Sequence, residues 1–211
     1  MTKALLLAMM TPPGDLEEEF NEWYDTEHFP RLSTVPGFDR SSRYVAVKGW
    51  PKYVALYDLA SVDALEHPQY TRAPGARFSP WAQRILTKLH GQYRFSGDQI
   101  YPGPALMGDR GRPLQVAVMR FREMPQSHEA ALTEGMQAIV DASEELLQAR
   151  IFRGSGPLQG DCIALVECRA HDPRIPVTAS AIGPAADHLD LMTFYIPYWR
   201  RGYVPSVFEA Q

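Results

Sequence analysis

Cysteine is scarce: the 211 residues hold two, Cys162 and Cys168. That count excludes a disulfide-stapled scaffold. The stretch Asp161-Cys-Ile-Ala-Leu-Val-Glu-Cys168 reads as one buried strand, so the two thiols share a face about 20 Å apart. A disulfide needs Cα atoms within about 7 Å, so the pair cannot close. The same separation removes them as joint metal ligands. Free thiols fit a reducing cytoplasm. Long apolar runs are also missing, and nothing approaches the roughly 20 residues that span a bilayer. The opening Met1-Thr-Lys-Ala-Leu-Leu-Leu-Ala-Met-Met10 looks like a targeting segment. Pro12-Pro13-Gly14 then interrupts it without a small-residue cleavage site, so it reads better as a buried first strand. No excess of positive charge is present. The balance of 21 basic and 25 acidic residues gives a net charge of -4, which argues against a nucleic acid or an anionic membrane as partner. There is no G-x-G-x-x-G, P-loop, G-x-S-x-G, H-E-x-x-H or paired C-x-x-C. Gly154-x-Gly156 is only a turn. No metal and no cofactor is therefore expected.

What is present is an ordinary globular composition, 45% hydrophobic and 22% charged, enough for one large domain or two small ones. The chain reads as two passes through one order of elements. The first has a strand at Lys3–Met10 and a helix at Asp15–Leu32. Asp15 is placed to cap that helix and Glu18 to complete a capping box. Pro30 should fray or kink it just after His28. Strands at Ser41–Lys48 and Tyr53–Ala60 follow, joined by Gly49-Trp50-Pro51. A broken helical region covers Ser61–Glu66 and Trp81–His90, and Gln92–Tyr101 is a fourth strand. Residues 103–113, rich in Pro and Gly, form a linker. The second pass has strands at Leu114–Arg122, Leu146–Arg153, Asp161–Ala170 and Leu189–Pro197. Its helix is Ser127–Ala142, with Leu132, Met136, Ile139 and Val140 on one face, and an irregular helical piece covers Val177–Asp187. Both passes read β-α-β-β-α-β, a ferredoxin-like unit. Each such sheet has one face bare of helices. The expected fold is therefore α+β: units 1–102 and 114–211 hide those faces from water as a pseudo-dimeric α/β barrel within one chain.

The first helix breaks a rule of surface helices. At about 100° per residue, Leu16, Phe20, Trp23 and Tyr24 form an apolar stripe. Glu27 falls near its centre and His28 on its flank. A buried carboxylate or imidazole is costly unless paired or used. The run Asn21-x-Trp23-Tyr24-x-x-Glu27-His28-x-Pro30, with Pro36-Gly37-Phe38 and Arg43-Tyr44 after it, resembles the dimeric α/β-barrel superfamily. Within it, the run is nearest the EthD-like group, where a W-Y-x-x-x-H-x-P helix end is typical. The resemblance is dense over residues 20–44. It is thinner over 67–100, where His67-Pro-x-Tyr70 and Trp81-x-x-Arg84 look similar, and it is topological from 114 onward. It implies membership of a group that includes cofactor-free monooxygenases, an isomerase of muconolactone, dehydratases of aromatic and polyketide substrates, and haem-dependent enzymes. Fold alone does not choose among them. The second helix lacks the motif, so one site in the first half is expected.

Each candidate has a structural alternative. His28 suits acid-base work near neutrality, or it bonds backbone beside Pro30. Glu27 could orient it, or pair with Arg31. Trp23 and Tyr24 could line a pocket or simply fill the core. Arg43 and Tyr44 alternate, so only one faces the helix. Tyr44 shares its side with the small Ala46. Asp58 could face inward or cap the next helix. Arg84 could reach the cavity from the face it shares with Trp81, or lie along Trp81 at the surface. His67 and Tyr70 could cover the site, and Tyr93 could add a phenol. The stretch Phe194–Tyr203, aromatic and basic, reads as a last strand plus a packed tail rather than a nucleic-acid surface.

The expectation is a cofactor-independent lyase, dehydratase or isomerase that moves a proton on a small hydrophobic, aromatic substrate. His28 would act as base or acid with Glu27 as its partner, and Tyr44 or Arg84 would hold a phenolate or enolate oxygen. Trp23, Tyr24, Asp58, His67, Tyr70, Trp81 and Tyr93 would surround the substrate. Two rivals stand beside it: an oxygenase of the same fold, with or without haem, and a non-catalytic carrier of a small ligand. A homodimer stays open.

Overall fold

Every residue of Ala4–Thr11 (β1) except Ala8 and Thr11 is buried, too many for a strand with one wet face. Both faces are covered. Leu5, Leu7 and Met9 enter one apolar cluster, while Ala4, Leu6 and Met10 enter another. The first cluster is the interior of a closed barrel, seen in a computed structural model that describes residues 2–71 and 79–198.

The remaining strands are Phe38–Lys48 (β2), Tyr53–Leu59 (β3), His90–Tyr101 (β4), Gln115–Phe121 (β5), Leu146–Gly154 (β6), Cys162–Cys168 (β7) and Leu189–Pro197 (β8). Their order around the barrel is β1-β3-β2-β8-β5-β7-β6-β4, with neighbours antiparallel throughout. Each half contributes one four-stranded ferredoxin-like sheet, β4-β1-β3-β2 or β8-β5-β7-β6. The halves join edge to edge: β2 pairs β8, with Val45 opposite Ile196, and β4 pairs β6, with Asp98 opposite Arg153. Closure leaves no free strand edge. The fold is the expected α+β pseudo-dimeric α/β barrel within one chain.

Helices occupy the outer surface: Glu17–Trp23 (α1), Phe29–Ser33 (α2), Pro68–Thr71 (α3), Pro80–Leu86 (α4), Glu129–Asp141 (α5) and Ala179–Ile182 (α6). In the first half Leu16, Phe20, Trp23 and Tyr24 pack on the sheet; in the second, Leu132, Met136 and Ile139 do so. Among the described residues no helix is long and apolar enough to cross a membrane. Two local expectations are corrected. Asp15 does not cap the first helix. It lies within a 3₁₀ turn at Gly14–Leu16, and no side chain caps that turn or α1. The chain does not fray after His28 either. Tyr24–His28 widens into a single π turn, closed by the Phe29 amide donating to the Tyr24 carbonyl, and helix resumes to Ser33. Pro30 has no amide to give, and one wide turn accommodates the missing bond without ending the helix.

The connection between the halves is seated in one end of the barrel. Met107 is fully buried. Its amide donates to Asp58 Oδ2 at 2.7 Å, and the Gly108 amide donates to Glu167 Oε2 at 2.9 Å. Gln148 Nε2 holds the Leu106 carbonyl at 2.9 Å. Asp58 on β3 lies opposite Arg40, and Glu167 on β7 lies opposite Gln148, so the two acids occupy matching places in the two halves. Arg150 on β6 joins them. It donates from Nη1 to Asp58 Oδ1 at 2.7 Å, and its Nε lies 3.4 Å from Glu167 Oε1. All three side chains are about 1% exposed. Burial pushes the Glu167 carboxyl up, against the pull of Arg150.

Removing one partner of a buried ion pair leaves the other charge uncompensated. Asp58→Ala should therefore cost about 3–5 kcal/mol, read as a fall in the urea unfolding midpoint. An unchanged midpoint would contradict the role given to this cluster.

Candidate functional site

In the second half Leu132, Met136 and Ile139 of α5 join the core against the sheet; the first half keeps open space beneath its helices. Between the segment Trp23–Leu32 and the outer face of β1, β3 and β4 lies a cleft of about 710 Å³. Leu6, Ala8 and Met10 of β1 form part of its floor, and Leu86 and Leu89 part of its wall. Ala8 lies opposite Arg94 of β4, where its small side chain leaves space above the sheet. Trp23, Tyr24, His28, Tyr57, Tyr70 and Arg94 also line the cleft, with Arg31 on the helical side.

His28 ends the π turn. Its ring packs against Trp23, with centroids 4.6 Å apart, and against Tyr24 at 4.9 Å. Among the described residues neither ring nitrogen has a hydrogen-bond partner, so the backbone bond offered as the structural alternative is not made. Burial holds the imidazole down to about 3, helped by the positive charges of Arg31 and Arg43. The ring is neutral at physiological pH and has a nitrogen lone pair to offer.

The Tyr24 and Tyr57 hydroxyls lie 3.2 Å apart. Burial raises both phenols, so both keep their protons. Two protons and one mutual bond leave one O–H free to donate. Tyr70 accepts a bond from Arg94 Nη2 at 2.8 Å. Glu27 is committed to structure rather than to His28. It accepts from Trp23 Nε1 at 3.1 Å and from Ser79 Oγ at 2.7 Å. Ser79 in turn caps α4 by accepting from the Ala82 amide. Glu27 therefore ties the π turn to α4, and among the described residues the alternative pairing with Arg31 is not made.

Of the residues expected around the substrate, Trp23, Tyr24, His28, Tyr70 and Tyr93 border the cleft, although the Tyr93 hydroxyl is bound to Asp161 at 2.8 Å. Five others lie elsewhere. Tyr44 is on the opposite side of its strand, inside the barrel, where its hydroxyl donates to Met107 Sδ. Arg43 is the member of that pair under the helix, beneath Tyr24 at 4.0 Å and bonded to Asn21 and Asp25. Asp58 is also inside the barrel, bound to Arg150. Arg84 is exposed and pairs with Glu19, which also accepts from Trp81 Nε1 at 2.9 Å; neither Arg84 nor Trp81 lines the cleft. His67 accepts from the Gln69 amide at 3.2 Å outside it. The sequence reading missed Tyr57, Arg94 and Ser79. Strand alternation carried a signal for Tyr57, which sits beside Asp58 and so faces the other way.

The resemblance noted in the sequence includes haem-dependent enzymes, which raises the question of a porphyrin. A histidine ligand normally donates its second ring N–H to a carboxylate or carbonyl, which fixes the tautomer. Among the described residues His28 has no such partner. His28 therefore does not fit an axial ligand, and no step is assigned to haem.

No family model matches the chain, and no curated protein does. Solved structures do. An anthrone oxidase-like protein aligns at TM-score 0.67 and 13% identity, over 94% of this chain and 92% of that one. A chlorite dismutase variant from Candidatus Nitrospira defluvii, in complex with cyanide, aligns at 0.57 and 11%, over 93% and 91%. A monooxygenase-like protein from Lactobacillus acidophilus aligns at 0.55 and 6%, over 94% of each chain. These likenesses show a shared fold, a closed α/β barrel with both sheets in one polypeptide.

A histidine whose charged form is disfavoured by folding takes up its proton first in the unfolded chain. The stability tied to neutral His28 is therefore full above the ordinary value of 6.5 and declines as pH falls from there toward about 3. The His28 Cε1 proton resonance should stay at its neutral position from about pH 8 to about pH 5. A midpoint near the ordinary value would contradict the burial of the ring.

Proposed function

We propose that this protein is a cofactor-independent oxygenase acting on a small aromatic carbon acid, such as an aryl ketone with a ring-flanked CH₂ of the anthrone kind. The observation that carries this reading is the neutral, unbonded imidazole of His28, facing an apolar cleft walled by aromatic rings. Such a base can take a proton from the activated CH₂. The resulting enolate oxygen needs a donor, and the Tyr24–Tyr57 pair has one O–H free. Apolar walls keep water from competing for both groups.

An electron-rich enolate can pass an electron to O₂ directly and recombine to a peroxide on the same carbon. Protonation of that peroxide and loss of water leave a carbonyl, so CH₂ and O₂ become C=O and H₂O. No external reductant is needed. The elimination or isomerisation expected from the sequence would use the same base. The names of the similar structures, anthrone oxidase-like and monooxygenase-like, favour oxygen as the second reactant.

With anthrone as test substrate, the protein should consume one O₂ per carbonyl formed and carry ¹⁸O from O₂ into the product. His28→Ala, with folding checked, should lower turnover by about 10²–10⁴-fold. Turnover that continues without oxygen would eliminate the oxygenase reading, and unchanged turnover in the variant would remove His28 as base. A Soret band in the active purified protein would overturn its cofactor independence.

A further inference from the structure

The chain carries 25 acidic residues, yet among the described residues no Asp or Glu lines the cleft; the charged side chains that do are two arginines, Arg31 and Arg94. Seven arginines elsewhere among the described residues are paired with acids. Arg40, Arg43, Arg84, Arg120, Arg122, Arg150 and Arg153 each meet a carboxylate. Among the described residues Arg31 has no ion pair and no side-chain hydrogen bond. Among the described residues Arg94 holds only the Tyr70 hydroxyl, at 2.8 Å, with its guanidinium 6.0 Å from the centre of that ring.

The two cations come from facing walls, Arg31 from α2 and Arg94 from β4. A guanidinium presents a planar fork of donors matched to a carboxylate and keeps its charge under all ordinary conditions. Two of them left without acids beside an apolar cavity are a binding surface for a negative charge.

We infer that the cleft selects an anionic aromatic ligand, one bearing a carboxylate or an acidic phenol whose charge is met by Arg31 and Arg94 while its rings occupy the apolar floor. This rests on the cleft being the substrate site, and it adds the substrate's charge to the reading above. It also has a consequence for His28. Arg31 lies one helical turn on and works against a proton on that ring. A bound anion offsets this charge, so the base gains strength when such a substrate is in place.

The test compares 2-naphthoate with 2-naphthamide, two probes of one shape and different charge, by titration calorimetry. Naphthoate should bind at least about tenfold tighter, the scale of one charge-assisted bond, and its affinity should fall with added salt. R31Q and R94Q should each weaken naphthoate while leaving naphthamide unchanged, and the double variant should lose the preference. Equal wild-type affinities, no measurable naphthoate binding, or a preference that survives in the double variant would each overturn the inference. The wild-type comparison stands even if the double variant does not fold. Oxygen uptake separates the two proposals. A naphthoate preference without oxygen consumption leaves the anion site and removes the oxygenase. Oxygen consumption with no such preference does the reverse.

Discussion

Closure of the barrel is the constraint from which the rest follows. Two ferredoxin-like sheets joined along β2–β8 and β4–β6 hide their inner faces in one shared interior. Each sheet then has one remaining face, and it must take helices. In the second half α5 fills that face with Leu132, Met136 and Ile139. In the first half, aromatic rings and a π turn stand in the same place and leave a cleft. The pseudo-symmetry thus supplies two equivalent positions, and in the first half side-chain choice leaves that position hollow.

The interior contributes rigidity rather than chemistry at the cleft. Arg150 bridges Asp58 of one half and Glu167 of the other, while the amides of Met107 and Gly108 cap the two acids. Buried charges of this kind are worth little as isolated pairs, but breaking one is costly. Here they fix how the halves meet and hold the connecting segment in the barrel's end. The cleft then sits on the outer face of this braced barrel, with Glu27 tying the π turn to α4 through Ser79.

Element order was legible because apolar strands and a stripe of Phe20, Trp23 and Tyr24 follow simple periods. The barrel followed from asking where two bare sheet faces could go. The site was harder. Alternation showed that Arg43 and Tyr44 point to opposite sides, but not which side holds the helix, because β2 is covered on both. Asp58 faces inward as its apolar strand mates suggested, yet the fold has two insides, and Asp58 belongs to the barrel. Arg84 was placed on the right helix face for Trp81, but Glu19 across from it on α1 holds both at the surface. Long-range pairings such as Asp58 with Arg150, 92 residues apart, leave no local trace. The π turn was hidden for a different reason: Pro30 announces a lost hydrogen bond, but not how the chain absorbs it.

The cleft unites a base kept neutral by burial, a phenol pair with one proton to donate, and two cations without acids. Under the proposed function their joint consequence is removal of a proton from carbon, before any reaction with oxygen. The most direct measurement is exchange of the anthrone CH₂ protons with D₂O under argon, followed by NMR. The account predicts that the protein accelerates exchange and that His28→Ala does not. Exchange no faster than in buffer alone, or equally fast with the variant, would contradict it.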